Sequence, residues 1–549
     1  MITDGESNSV LFSSFSISNK RCRVYFRRNV LIWEMEHLPY QRQTVPVADI
    51  IAVSCGTGDP DDQAKSRALG LGEVNSAFQG GPESSNFSSK CLVIHYAKQV
   101  KNNKWAISKV TLHHGDPRQV NSWFITLENE IRKQNRPKSF LVFVNPFCGK
   151  RKGNNVYKRS VKPILDIAKA DTNVIVTDYR DHAKEVVLST DLTKYDAVLV
   201  VGGDGTLSEV INALVLRTIR DANGDENEWN GKIPTVRLPV AIVPGGSTDC
   251  IAYSLHGTRD RKTAAIYAVL GTAKGFDVCS VHSEKGLCRY FISIFAYGFL
   301  GDVLRESEKH RWMGPKRYEY SALLKLFKIR RYYCEIDMTL TTKVTATESK
   351  CYRYCSVCEE QGISTTSRTR YQEENLQTIK SDLKLYKVAS EEPKKLTVRG
   401  KYFLVGCANI SCACKQSPNG IAPYGHIGDG CIDVLLFRPE TLADVIRMLI
   451  RSGKKKGDEL VVDYPFVDSY KATEISFKVL DKKLEVPTSH EEYRDSSVWN
   501  SDGELVSEPN VRIKNYRQLV RMLSRRPQQP CGDAKPSCFS CQFCSKNIV

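Results

Sequence analysis

The sequence predicts a multidomain chain in which an antiparallel β unit closed by one helix precedes an α/β lobe and then a mainly β lobe of the β-sandwich kind. Three observations predict it. Short β-type runs recur between Val10 and Leu112, apolar strands alternate with helical stretches from Phe140 to Val243, and strand-rich sequence takes over from about Phe276. The 549 residues exceed one ordinary core and suit roughly three or four units. At 41% hydrophobic and 26% charged, the chain can bury enough apolar surface to offset its ordering entropy.

In the first unit, expected over residues 1–136, Cys22 to Phe26, Val30 to Glu34, Cys91 to Ala97 and Trp105 to Leu112 read as strands between Gly-, Pro-, Ser- and Asp-rich turns. Asp116-Pro117 then opens a helix, because Val120, Trp123, Phe124, Leu127 and Ile131 recur at helical spacing and proline fits a first turn. Strands closed by an amphipathic helix with a buried Trp resemble a pleckstrin-homology domain. Lys20, Arg21, Arg23, Arg27 and Arg28 are expected to crowd the first hairpin. They hold an anionic phospholipid or phosphoinositide head group, as such domains often do, or they form an ordinary solvated turn.

The polar linker Gln134 to Lys138 leads into the α/β lobe, expected over 137–275. Phe140 to Val144, Asn173 to Thr177, Ala197 to Val201 and Val240 to Val243 are continuous apolar or β-branched runs. Asn154 to Ala170, Ala183 to Leu188 and Leu207 to Leu216 are helical stretches between them. Strands apolar on both faces with crossover helices imply a parallel sheet. The β lobe, expected over 276–520, draws on Tyr290 to Phe295, Tyr402 to Ala408, Ile432 to Phe437 and Ala472 to Leu480, with one helix near Leu442 to Ser452. An insertion at 341–396, rich in Thr, Ser, Lys and Glu, is expected to be exposed, and a Cys-rich tail occupies 521–549.

The formal charge of +17 favours polyanionic partners, either nucleic acid or an anionic membrane leaflet. With no C2H2 spacing and no RNP-like aromatic run, nucleic acid is not expected. Met1 to Leu11 lacks a basic start and an apolar core, and no run of about 18 apolar residues occurs, so the expected compartment is the cytoplasm. The 19 cysteines in such a chain read as thiols or metal ligands rather than disulfides.

The run from Asp196 to Val201 is a buried strand entering the turn Gly202-Gly203-Asp204-Gly205-Thr206 and then a helix. Glycines let the backbone approach phosphate, and a helix N-terminus adds a favourable dipole. A carboxylate beside phosphate needs a task, such as binding a metal or taking a proton from an attacking hydroxyl. The alternative is a tight turn whose Asp204 caps the helix. Two further loops, Asn145-Pro146-Phe147-Cys148-Gly149-Lys150 and Pro244-Gly245-Gly246-Ser247-Thr248-Asp249, also follow strands, and in an open parallel sheet such loops share one ligand-binding edge. Neither a Walker loop nor the H-R-D and D-F-G sets of protein kinases is present.

These loops resemble the diacylglycerol and sphingosine kinase superfamily, in particular its ceramide-phosphorylating kinases. The likeness continues through Pro244 to Asp260, Tyr297 to Asp302, Glu306 to Trp312, Cys407 to Asp433 and Trp499 to Glu504, and covers roughly residues 10 to 520. The resemblance implies an ATP-dependent lipid kinase with Asp204 as general base, and with Gly202, Gly203, Asp204, Gly205 and Asp302 on the lipid-substrate side. It implies an ATP site of Asn145, Pro146, Phe147, Thr177, Glu209, Gly246, Ser247, Thr248, Arg311, Arg317, Asp502, Gly503 and Glu504. Mg2+ accompanies ATP, with Ca2+ as the alternative ion. The implied acceptor is ceramide in the cytosolic face of the Golgi or plasma membrane, with sphingosine or diacylglycerol as the rival acceptors and a catalytically dead membrane-binding scaffold as the rival class. Cys148 departs from the pattern, standing where a glycine is common.

Cys351, Cys355 and Cys358 resemble a three-cysteine pattern of ceramide kinases. They suit a structural Zn2+ if a fourth ligand arrives, or else reduced, partly buried thiols. Cys531, Cys538, Cys541 and Cys544 in the tail suit palmitoylation as well as metal.

Overall fold

The computed structural model describes residues 10–36, 42–56, 89–101, 103–314, 316–326, 329–341, 351, 355, 357–358, 394–453, 460–480 and 496–525. The four tail cysteines and most of the 341–396 insertion lie outside these residues. Contacts divide the chain into two compact units, one holding 1–138 with 161–171 and 265–271, the other holding the rest.

In the first unit, β1 (Leu11–Ile17), β2 (Lys20–Arg27), β3 (Val30–Met35), β4 (Arg42–Pro46), β5 (Ile50–Gly56), β6 (Cys91–Lys101) and β7 (Lys104–His113) form an antiparallel sheet in the order β4-β3-β2-β1-β7-β6-β5. Alternation gives the sheet an inner face, as in β2, where Cys22, Val24 and Phe26 are buried while Arg21, Arg23 and Arg27 are exposed. Helix α1 (Pro117–Arg132) starts at Asp116, whose carboxylate accepts the Arg118 N–H at 2.9 Å, and it buries Val120, Trp123 and Leu127. Trp123 is fully buried, meets Phe15 edge-on at 5.6 Å and donates from Nε1 to Ser13 Oγ at 3.0 Å.

Lys20, Arg21, Arg23 and Arg27 lie on β2 of the first hairpin and Arg28 in the turn after it, but they do not crowd one end. Lys20, Arg21 and Arg23 belong to the β1–β2 end, whereas Arg27 and Arg28 lie at the β2–β3 turn, the other end of a strand that rises about 3.3 Å per residue. All five side chains are exposed.

In the second unit, β8 (Ser139–Val144), β10 (Ala197–Gly202) and β11 (Val240–Pro244) pair in parallel, and β9 (Asp171–Val176) flanks β8. Every residue of β10 and β11 is buried, as a two-face-covered sheet requires. Helices α2 (His182–Ser189) and α3 (Asp204–Asp221) belong to the crossovers. The helix expected over Asn154 to Ala170 is instead interrupted by a π-type stretch, Tyr157–Val161, before a short helix Lys162–Ile167. Pro163 lacks the N–H that a continuous helix would use there.

The sheet does not stop at the β lobe. Its hydrogen-bonded order runs β21-β20-β14-β17-β18-β19-β22-β11-β10-β8-β9, through β14 (Ile294–Gly298), β17 (Leu404–Ala408), β18 (Ile432–Phe437), β19 (Val467–Val479), β20 (Trp499–Ser501), β21 (Glu504–Val506) and β22 (Val511–Ser524). Strand β22 pairs with β11 in parallel and with β12 (Thr272–Ser283) antiparallel, so one strand joins the two lobes. It extends to Ser524, four residues into the segment read as tail.

Period-two alternation serves two cores. Val405 and Cys407 of β17 and Ile432, Val434 and Leu436 of β18 face a core shared with β15 (Tyr332–Leu340) and β19. Leu404, Ala408, Leu435 and Phe437 face the other way, against helices α5 (Phe299–Glu308) and α7 (Leu442–Gly453). Those helices reach one wall of a cleft whose opposite wall is the loop edge of the parallel sheet.

Candidate active site

Three glycine loops meet at the ends of β8, β10 and β11. A Cβ on Gly246 would lie 2.8 Å from the Cα of Gly203, so backbone passes backbone there with no room for a side chain. Gly149 has φ +59 and would press a Cβ to 2.5 Å from the Gly245 carbonyl oxygen. Asn145 ties the loops together: Nδ2 donates to Thr206 Oγ1 at 2.8 Å, and Oδ1 accepts the Phe147 N–H at 2.9 Å. In the third loop Asp249, 2% exposed, accepts the Gly246 N–H at 2.7 Å and binds Arg259 at 2.6 Å, which also donates to the Gly246 carbonyl. The cleft they line has a volume of about 1350 Å³.

Asp204 opens α3, but it does not cap that helix. Its carboxylate accepts the N–H groups of Cys250 and Ile251, at 2.9 and 3.1 Å, from the first turn of helix α4 (Cys250–His256). Burial pushes its pKa up to about 6, the two N–H bonds oppose this, and the charges of Asp249 and Asp502 add to the rise. The group is therefore ionised at neutral pH yet more basic than an ordinary carboxylate, which suits proton transfer.

Thr177 and the loop after β9 form another side of the cleft, where Thr177 is 5% exposed. Glu209 lines the cleft while its Oε1 accepts the N–H groups of Ala183 and Lys184, at 2.9 and 3.3 Å, at the start of α2. Burial raises its pKa, those two N–H bonds lower it, and Asp181 and Glu504 raise it further. Glu504 pairs with Arg180 at 2.5 Å, which ties the β20–β21 hairpin to this loop. Tyr179, 56% exposed, stacks on His182 at 4.7 Å and presents a flat aromatic face at the cleft.

Asp502 is used differently. Its carboxylate accepts five hydrogen bonds, from Ser208 Oγ, the N–H groups of Ile292, Ser293 and Ile294, and Ser293 Oγ. It staples the 292–294 segment to α3. Gly503, with φ +90, completes the turn.

Arg317 lines the cleft, bound to Glu308 at 3.3 Å and to Tyr318 Oη at 2.7 Å. The Arg311 side chain lies outside the described residues. Phe147 is 61% exposed, and Gly203, Asp204, Gly205, Ser247 and Thr248 line the cleft with Asn145 and Gly246. Gly202 accepts the Gly245 N–H at 2.8 Å through its carbonyl, and Pro146 follows in the first loop. Asp302 does not reach the cleft lining: it is 4% exposed and bound by Arg305, Ser497 Oγ and Tyr332 Oη.

Cys351, Cys355 and Cys358 come together elsewhere, with His426. The insertion is thus not wholly exposed, since Cys358 is fully buried in the core beneath the parallel sheet. Cys412 and Cys414 stay apart from this group, contacting Ser293 and Ser417.

Sequence reasoning missed Arg289, which lines the cleft from β13 (Gly286–Phe291), donates to Ser208 Oγ at 3.3 Å and keeps a buried Nε without a partner among the described residues. It also missed Arg180 and Arg259. A readable signal existed for Ser208 and Asn212, two polar residues four apart on an otherwise apolar helix face; Asn212 exchanges hydrogen bonds of 2.9 and 2.8 Å with the Tyr290 backbone.

The comparisons match this architecture segment by segment. Residues 139–281 match the diacylglycerol kinase catalytic domain, 293–541 the ceramide kinase C-terminal domain and 11–127 the ceramide kinase PH domain. The human ceramide kinase is 32% identical over 514 residues, 88% of each chain. The mouse ceramide kinase is 32% identical over 454 residues, 79% of this chain and 83% of that one, and the ceramide kinase of Oryza sativa subsp. japonica is 29% identical over 529 residues, 77% and 83%.

The fold and the cleft thus define a multidomain lipid kinase with a PH domain and a diacylglycerol-kinase-type catalytic domain. Within that class, the chain belongs to the ceramide kinase family.

Proposed function

We propose that this chain transfers the γ-phosphoryl group of ATP to the primary hydroxyl of ceramide, giving ceramide 1-phosphate, with Asp204 as general base. The observation that carries the reading is the Asp204 carboxylate at the floor of the glycine-lined cleft, held by two backbone N–H groups and with its pKa raised by burial to about 6. The hydroxyl proton passes to Asp204, its oxygen bonds to the γ-phosphorus, and the bond from that phosphorus to the β,γ-bridging oxygen breaks, its electron pair leaving with ADP.

The close-passing Gly203 and Gly246 loops let the backbone approach the phosphates, and Arg317, Arg289 and Arg311 spread the developing charge. Thr177 and the Tyr179 face flank the base, while Asn145 to Phe147 and Ser247-Thr248 close over the nucleotide. Asp502 acts by positioning, and Glu504 through Arg180. Asp302, bound to Arg305 and Tyr332, shapes the lipid side from beneath its surface.

The donor set suits a metal held mainly by the nucleotide, because Asp204, Asp249, Asp502, Glu209 and Glu504 are each already engaged by N–H groups or arginine. Mg2+, with Ca2+ as the alternative, would neutralise phosphate charge there. The N-terminal unit brings the enzyme to anionic phospholipid or phosphoinositide through Lys20, Arg21 and Arg23, at the cytosolic face of Golgi or plasma membrane. Among the described residues no helix is long and apolar enough to span a bilayer.

The deciding experiment offers the full chain radiolabelled ATP with ceramide, sphingosine and diacylglycerol in mixed micelles. Preferential labelling of ceramide is expected. Preference for sphingosine or diacylglycerol overturns the acceptor, and labelling of none favours a membrane scaffold. Liposomes with and without phosphoinositide test the surface: equal binding removes the head-group role.

A further inference from the structure

We propose that Cys351, Cys355, Cys358 and His426 bind one zinc ion, which clasps the cysteine segment onto the β12–β22 strand pair. This stands independently of the lipid acceptor. The four ligand atoms all lie within 4.8 Å of one another. Cys351 Sγ is 3.7 Å from Cys358 Sγ, and His426 Nδ1 is 3.2 Å from Cys355 Sγ and 4.0 Å from Cys358 Sγ. A tetrahedral zinc with Zn–S of about 2.3 Å and Zn–N of about 2.0–2.1 Å sets S···S near ~3.8 Å and S···N near ~3.6 Å. The S···S spacing of 3.7 Å is close to the first value, and the S···N spacings of 3.2 and 4.0 Å bracket the second.

The chemistry selects the ion. Three thiolates and an imidazole are too soft a set for Mg2+ or Ca2+ and form a closed structural zinc site with no position left for water. A disulfide between two of the cysteines would leave the third thiol and the imidazole without a common task. Cys358 and His426 are 0% and 1% exposed and Cys351 and Cys355 are half-buried, so none of the four donors is an exposed surface group.

The frame around the site is built from both sides. Gln518 Nε2 donates to the carbonyls of Cys358 and Gly428, each at 3.0 Å, bridging the two ligand-bearing segments. Gln518 has φ +49 beside the irregularity where β12 and β22 shift register. Asp277, on β12, accepts the Gly430 N–H at 2.6 Å and the Gln518 N–H at 2.7 Å, and its own N–H donates to the Ile427 carbonyl at 3.0 Å. The His426 loop is thereby fixed to the same strand pair, and the ion would fix the cysteine segment to that loop.

The test begins with the wild-type full chain, purified without chelator. Elemental analysis should find about one zinc per chain, and cobalt exchanged into the site should give thiolate-to-metal charge-transfer bands and tetrahedral ligand-field bands. Substoichiometric zinc, or cobalt spectra without thiolate bands, overturns the proposal whatever any variant does. His426→Gln keeps the three thiolates and removes the nitrogen. Even an outer partner of a ligand is worth about 10–100-fold in metal affinity, so zinc should pass to a competing chelator at least ~10-fold more readily. Unchanged zinc retention and an unchanged cobalt spectrum in this variant would exclude His426 as ligand.

Discussion

The two ends of the cleft are made of different materials. At the glycine-loop end the surface is backbone: Gly203 and Gly246 pass so closely that a side chain on the latter would sit 2.8 Å from the former's Cα, and Asp204 is gripped by N–H groups. At the other end, Leu300, Val303 and Leu304 of α5, Ala322 of α6 (Lys316–Leu326) and Leu449 of α7 present apolar side chains. A backbone surface specifies residue types one by one, whereas an apolar wall specifies only volume. Phosphoryl chemistry and lipid choice should therefore respond to substitution in different ways.

The largest effect should come from Asp204→Asn. A general base contributes about 10²–10⁴-fold, so kcat should fall by that factor while ATP affinity, measured by calorimetry, changes little. Near-normal turnover would remove Asp204 from the chemistry. As the proposed base, the same group should set the acid limb of the wild-type rate profile. With the pKa raised to about 6, activity is retained above that pH and should decline about tenfold per unit below it, as the base is lost to protonation. A limb near the ordinary carboxylate range would mean that burial does not tune this group.

Next comes Gly246→Ala, which breaks the backbone surface itself. Overpacking of this kind costs about 1–3 kcal/mol and should appear as weaker ATP binding, with the lipid KM unchanged. An equal rise in both constants would show that the two ends are not independent.

Asp502→Asn probes the staple between them. The amide keeps the size but turns one acceptor into a donor facing the N–H groups now bound. Unmet N–H groups cost about 1–3 kcal/mol, read as a lower urea midpoint. Unaltered stability would deny Asp502 its positioning role.

What could be read from the sequence divides along the same line. Strands β8, β10 and β11 were legible because burial on both faces makes them uniformly apolar, and the glycine loops because only glycine serves such close backbone passage. The resemblance, not spacing, supplied Arg317 and the Asp502 turn. Arg289 was illegible because an arginine on a strand of a basic chain carries no mark of the side it faces. His426 was illegible for a topological reason: it is 68 residues from Cys358, and only the folded β lobe brings the two together. The β22 link from β lobe to parallel sheet escaped notice because pairing partners leave no local pattern.

The smallest effect, and the finest division of the two ends, is expected at Leu449. Its side chain is 41% exposed yet lines the apolar wall, so it has surface left for a lipid chain to cover. Covering some 40 Å² of apolar area at about 25 cal/mol per Å² is worth roughly 1 kcal/mol, or about fivefold in affinity. Leu449→Ala should therefore raise the lipid KM about fivefold in mixed micelles and leave the ATP KM and kcat as they were. Leu449→Met, which keeps the volume, should restore the lipid KM, because that wall is argued to select by size. A change in ATP KM with either variant would contradict the separation, and failure of Met to rescue would mean that α7 recognises shape as closely as the glycine loops do.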